Sequence, residues 1–216
     1  MTGPGWNGPP QQPYGHQPGW GHPPPKKKRL GLMITLIAVP AVLLLGGGLT
    51  AFLFYQDAHK DGGSPPSSAR LGKACAAVSP QTLARLRTTN PYADLSREQQ
   101  GHTSCVWEQT EGKDGEGSRQ LTFQVTEAAV DRTGRQLECE GTVLAPPNIG
   151  DQSCTSIKSY GGASRMGQLQ FVENGKFVLI QYQGWDVGLF DTVPMPDEEL
   201  TKAVLDIANE VAGKIG

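Results

Sequence analysis

Charge is missing from two long stretches of this sequence, and apolar residues are scarce outside one of them. Residues 1–25 contain no Lys, Arg, Asp or Glu, and none occurs from Leu30 to Tyr55. Only 37 % of the 216 residues are hydrophobic, against roughly 45–50 % (Gly included) in compact soluble domains. A wholly soluble chain of uniform character is thereby excluded. Histidine is rare as well: of four in the chain, only His102 lies beyond residue 72. Nucleophilic catalysis by Ser or Cys normally needs such a base, and no Ser sits in a G-x-S-x-G setting. The four cysteines include no C-x2-C pair, the spacing usual in zinc sites. No Cys sits at the end of the apolar run, so a lipoprotein anchor is not expected. Positive charge is also short where it would matter for nucleic acid. Beyond residue 29 there are 15 basic residues against 21 acidic, a formal −6, so no nucleic-acid partner is expected.

What is present divides the chain into four parts. Residues 1–29 hold 8 Pro and 6 Gly in their first 25 positions and then Lys26, Lys27, Lys28 and Arg29. Such a composition cannot bury a core and predicts a disordered tail with local polyproline II. Residues 30–55 follow, 25 of them (Leu30–Phe54) an uncharged apolar run. A bilayer core needs about 20 apolar residues in a helix, and hydrocarbon forces helix despite Pro40 and Gly46, Gly47 and Gly48. The run is too long for a cleaved signal peptide, whose apolar core spans roughly 7–15 residues. The basic tetrad before it predicts a single-pass protein of the cell membrane with a cytoplasmic N-terminus and an extracytoplasmic C-terminus. Residues 56–72, rich in Gly, Ser, Pro and charge, read as a spacer. Residues 73–216 are enough for one core.

Within that outer part the cysteines are Cys75, Cys105, Cys139 and Cys154. An even number on the oxidising side of a membrane suggests two disulfides. Three pairings are open; Cys75–Cys105 with Cys139–Cys154 closes the shorter loops and is favoured. Ser79 and Pro80 form an N-cap with Pro at the first helical position. Asp197, Glu198 and Glu199 suit a helix start, and Leu200, Ala203, Val204, Ile207, Ala208, Val211 and Ile215 then mark one apolar face. Residues 103–110 and 119–126 alternate with period two, placing Cys105 with Trp107 and Leu121 with Phe123 and Val125. Asn174-Gly175 predicts a two-residue hairpin. Its register opposes Glu173 to Lys176, Phe171 to Val178, Leu169 to Ile180 and Gly167 to Tyr182, with the apolar pairs facing the last helix. The other face carries Gln168, Gln170 and Gln181. Residues 128–139 are compatible with a short helix. The fold class is α+β, an antiparallel sheet with N- and C-terminal helices on one face.

One arrangement is familiar. Cys75 stands just before the Ser79-Pro80 helix, Cys105-Val106-Trp107 opens a strand, and Ile149-Gly150-Asp151 precedes another. A tight hairpin and a long amphipathic C-terminal helix follow. This order over residues 73–216 resembles a family of actinobacterial exported and lipoprotein domains of unknown function, similar in layout to PsbP-like and kinase sensor ectodomains. The chain departs from it in the second cysteine pair, Cys139 and Cys154. The resemblance implies an extracytoplasmic ligand-binding or protein-contact domain and brings no catalytic residues with it.

No constellation for catalysis, metal or cofactor stands out. The loop 111–117 lacks the calcium pattern D-x-[DN]-x-[DN]-G, and His102 reads as a strand-edge residue. The expectation is a membrane-anchored, sensor-like binding domain without catalysis, with the lipid bilayer and an envelope ligand or membrane protein as partners. Trp185, Gln168, Gln170 and Gln181 are the candidate contacts, in a groove between sheet and helices. Two alternatives stand beside it: an envelope hydrolase using a carboxylate pair, and a recruitment protein working through its tail.

Overall fold

The computed structural model describes residues 30–59, 61–127, 137, 139–145 and 147–215. The expected disordered tail and most of the expected short helix at 128–139 lie outside these. The chain separates into two compact units at Leu45/Gly46, inside the first helix.

Helix α1, Leu30–Ala58, passes through Pro40 and the three glycines without interruption. Its stretch Ile37–Asp57 is long and apolar enough to cross a membrane, and its side chains are exposed. Thr50 Oγ1 donates back to the carbonyls of Gly46 and Gly47 at 3.0 Å, so the hydroxyl is satisfied within the helix, as hydrocarbon requires.

Among the described residues the second unit is built on a nine-stranded antiparallel sheet. Its strands are β1 Asn90–Pro91, β2 Arg97–Gln99, β3 His102–Glu108, β4 Ser118–Glu127, β5 Thr142–Leu144, β6 Gln152–Ser159, β7 Arg165–Glu173, β8 Lys176–Val187 and β9 Thr192–Pro194. The order is β1-β3-β4-β8-β7-β6-β5, with β2 also on β3 and β9 on β8. The Asn174-Gly175 turn has φ of 50° and 71°, as a type I′ turn demands. The four expected pairs from Glu173–Lys176 to Gly167–Tyr182 are all present.

Register stacks the inner face in rows. Cys105, Phe123, Ile180 and Leu169 form one row, and Trp107, Leu121, Tyr182 and Gly167 the next. Helix α3, Asp197–Val211, lays Leu200, Ala203, Val204, Ile207, Ala208 and Val211 on this face, all buried. Gly167 is needed there: a Cβ would stand 2.8 Å from the Leu200 carbonyl oxygen. Ile215 is buried with the others but lies beyond the helix, because Gly213 turns the chain at φ 80°. The periodicity extended one turn too far.

The short helix α2, Pro80–Arg85, lies beside α3. Ser79 Oγ accepts from the Thr82 N–H, the expected cap. Glu210 of α3 accepts from the Ser79 N–H at 2.8 Å, and Arg85 meets Asp206 at 3.4 Å. Burial alone would raise the Glu210 carboxyl, but donors from Thr82 and Ser79 and the Lys214 ammonium hold it below the usual glutamate range. The bonded cysteines are Cys75–Cys105 and Cys139–Cys154.

The expected spacer takes a different form. Residues 61–69 are fastened along the turn between β3 and β4. Bridges join Asp61 to Gly117 and Ser64 to Thr110, and Ser64 exchanges backbone hydrogen bonds with Gln109 and Glu111. Asp61 accepts from the Gly63 and Gly112 N–H groups. Asn90 completes the strap, accepting from Ser67 N–H at 2.8 Å and donating to the Ser64 and Pro65 carbonyls. Gly, Ser and Pro leave little side chain to read, so the composition looked like a tether, yet their backbone groups find partners here. Asn90→Ala should cost about 2 kcal/mol, since three hydrogen bonds of one buried side chain are lost together. Hydrogen exchange should show the loss of protection concentrated in residues 61–69; unchanged protection of Ser67 would contradict this role.

Candidate functional site

The sheet has two ends. Asp61, Gly117 and the C-terminal part of β8 mark the tether end; the Asn174-Gly175 turn, Gly101 and the start of β3 mark the distal end.

At the distal end a groove of about 590 Å³ opens between the sheet and the segments that cap it. Its base is the last apolar row of the inner face, Val125 with Phe123 beneath, joined by Ile215 from the chain after α3. One wall is the 3-10 turn Lys73–Ala77, pinned to β3 by the Cys75–Cys105 bridge. Lys73, Lys176, Lys214 and His102 stand around it with Glu98 and Glu127. With His102 neutral these give one net positive charge. Lys176 donates to the Ile215 carbonyl and Lys214 to that of Ala77 at 3.1 Å. Both ammonium groups are thereby held at the rim. His102, at the start of β3 between β2 and β4, has Nδ1 2.9 Å from Oγ1 of its cross-strand partner Thr126, which fixes the ring. Held cations over an apolar base suit a small molecule with an anionic group attached to an apolar body.

The residues singled out in the sequence lie elsewhere. Gln168 and Gln181 are direct cross-strand partners on the outer face, with Nε2 of one 3.3 Å from Oε1 of the other. Gln168 and Gln170 are buried. Trp185 is on the same face nearer the tether end, beyond the Gln120–Gln183 pair. It lines a separate recess of about 250 Å³ with Ser64, Glu108, Gln120 and Gln183. The structure therefore brings two of the glutamines together, on the face opposite α3, and leaves Trp185 apart from them. None of the four lines the distal groove.

Sequence reasoning missed a buried arginine. Arg119, only 2 % exposed, continues the inner-face alternation of Leu121 and Phe123. It donates to the Trp185 carbonyl at 2.6 Å, the Ser118 carbonyl at 2.9 Å and the Asp186 carboxylate. Glu199 of α3 lies 3.8 Å away. Two carboxylates thus share one guanidinium at the N-terminal end of the helix. Beside them Tyr182 donates to the Leu86 carbonyl at 2.9 Å, and burial pushes its phenol up to about 12. Parity along β4 was the signal that could have found Arg119.

Asp114 organises the β3–β4 turn. It accepts from Thr110 N–H at 2.8 Å and from the Thr89 N–H and hydroxyl. Burial pushes its carboxyl up, but these donors, with Lys113, bring it below the ordinary aspartate range. Among the described residues no group of three or more His, Cys, Asp or Glu could hold a metal ion. No protein-family model matches the chain, and neither does any curated protein or solved structure.

Proposed function

We propose that the chain is a membrane-anchored, extracytoplasmic binding domain, non-catalytic, whose ligand carries an anionic group on an apolar body and sits in the distal groove. The observation that carries this is the groove itself: apolar base, three lysines and His102 at the rim, at the end of the sheet away from the tether. The basic tetrad Lys26–Arg29 supports a cytoplasmic N-terminus. The two disulfides support an oxidising compartment for residues 61–216. The groove lies at the end of the sheet opposite Asp61, where the chain arrives from α1.

Phenyl phosphate serves as a probe, with benzyl alcohol as the neutral control. Saturation-transfer NMR on the full chain in nanodiscs should detect the first and not the second. Val125→Trp, which fills the base, should abolish the signal. Lys176→Met should weaken binding about tenfold, the loss of one charge-assisted hydrogen bond. A signal unchanged in both variants would place binding outside the groove and end the proposal.

A further inference from the structure

The tether end of the sheet carries most of the exposed apolar side chains. Among the described residues beyond Asp61 the large exposed ones are Leu95, Val143, Tyr160, Leu189, Phe190 and Val193. Four of these six belong to the tether end. Tyr160, 59 % exposed, is in the turn between β6 and β7, next to the Ser159–Arg165 pair that closes that end. Leu189 and Phe190, 68 % and 53 % exposed, form the tip of the loop between β8 and β9, and Val193 follows on β9. The N–H of Gly188 donates to the Asp191 carbonyl at 2.7 Å, which closes the loop and pushes the Leu-Phe pair outward.

Chain connectivity says what faces them. Only His59 and Lys60 separate Ala58, the end of α1, from Asp61, which is bonded to the sheet. At about 3.5 Å per residue Asp61 lies no more than ~11 Å from the helix end. Ala58 itself is ~6 Å along the helix from Phe54, the last residue of the apolar run. His59 also stands 4.0 Å from Glu116 of the β3–β4 turn. Gly117 of that turn packs on Trp185 and Asp186 of β8, and Leu189 is three residues further, ~10 Å for extended chain. The exposed tips therefore fall within reach of the polar zone, about 5–8 Å deep, that borders the hydrocarbon.

We infer that Leu189 and Phe190, with Tyr160, enter the interfacial layer of the same bilayer that holds α1 and form a second, non-spanning membrane contact. Aromatic side chains favour that layer. The charge around the tips gives no net attraction to anionic lipid: Asp61, Glu111, Glu116 and Asp191 stand there against Lys113, Arg87 and Arg165. The contact is thus apolar and independent of headgroup charge. It rests on the membrane-anchored reading above.

All four native cysteines are bonded, so one introduced cysteine can be spin-labelled alone. Full chains bearing Leu189→Cys, Phe190→Cys or Tyr160→Cys would be reconstituted in phosphatidylcholine vesicles, with and without one-third phosphatidylglycerol. Collision with oxygen relative to a nickel chelate reports depth. The ratio should exceed that of a distal label, Asn174→Cys, severalfold, and equally in both lipids. A label in the span, Leu44→Cys, separates the two claims. Lipid contact at 44 with water at 189, 190 and 160 overturns the second contact alone. Water at 44 overturns the anchor and the inference together. Water at the tips in vesicles with protection in native membranes would mean a protein partner covers them, and also overturns it.

Discussion

Replacing Cys75 and Cys105 together by Ala should lower the stability of the sheet domain by about 4 kcal/mol. Closing a loop of 30 residues is worth roughly 3.6 kcal/mol in the chain-entropy model. Both side chains are buried, 5 % and 0 % exposed, so loss of the sulfurs adds a packing term. For a domain holding about 5–15 kcal/mol in all, that is a large fraction. The second bridge closes 15 residues, about 3 kcal/mol in the same model, and Cys139 and Cys154 are less buried. Its removal should cost less. Pulse proteolysis of the full chain in urea measures both. The larger loss also has a functional signature: without the bridge the turn Lys73–Ala77 is no longer pinned to β3, and phenyl phosphate binding should fall even where the domain remains folded. Equal losses from the two bridges, or none, would refute the ranking.

Arg119→Met should cost about 3 kcal/mol. The guanidinium is buried and satisfies two backbone carbonyls and the Asp186 carboxylate. Removing one partner of a buried pair is typically worth about 3–5 kcal/mol; Asp186 is 30 % exposed, which draws the expectation to the low end. Asp186→Asn should cost less, because Arg119 keeps its two carbonyls and Glu199 nearby. The double variant should be less harmful than the sum of the two, with a coupling above about 1 kcal/mol. Strict additivity in the denaturation midpoints would show that the pair does not hold β4, β8 and α3 together.

These two features differ in how far the sequence revealed them. The bridge pairing followed from loop length, as the hairpin register followed from Asn174-Gly175 and the α3 face from a 3.6-residue period. Each is a local pattern whose physical cause acts over a few residues. Arg119 lay one step outside such a pattern: the alternation Leu121, Phe123 runs back to it, but a charged residue at a strand start reads as solvent-facing until its acceptors on β8 are known. Gln168 and Gln170 misled in the same way, being polar in sequence and buried in the sheet. Strands β5 and β9, three residues each, are too short to show a period. The groove was anticipated only as a place between sheet and helices. Its lining comes from segments as distant as Lys73, His102, Lys176 and Lys214, and no spacing rule gathers them.

The strap at residues 61–69 has a mechanical consequence. A flexible spacer would absorb a pull on α1 by extending before any load reached the domain. Here the slack is two residues, after which tension passes through the parallel bridges Asp61–Gly117 and Ser64–Thr110 into the edge of the β3–β4 hairpin. Bonds crossing between aligned segments are loaded in shear and yield together, whereas a peeled strand opens one bond at a time. Tugging on α1 is therefore felt first at the Glu111–Gly117 turn, and the body of the sheet is strained before the linkage lengthens.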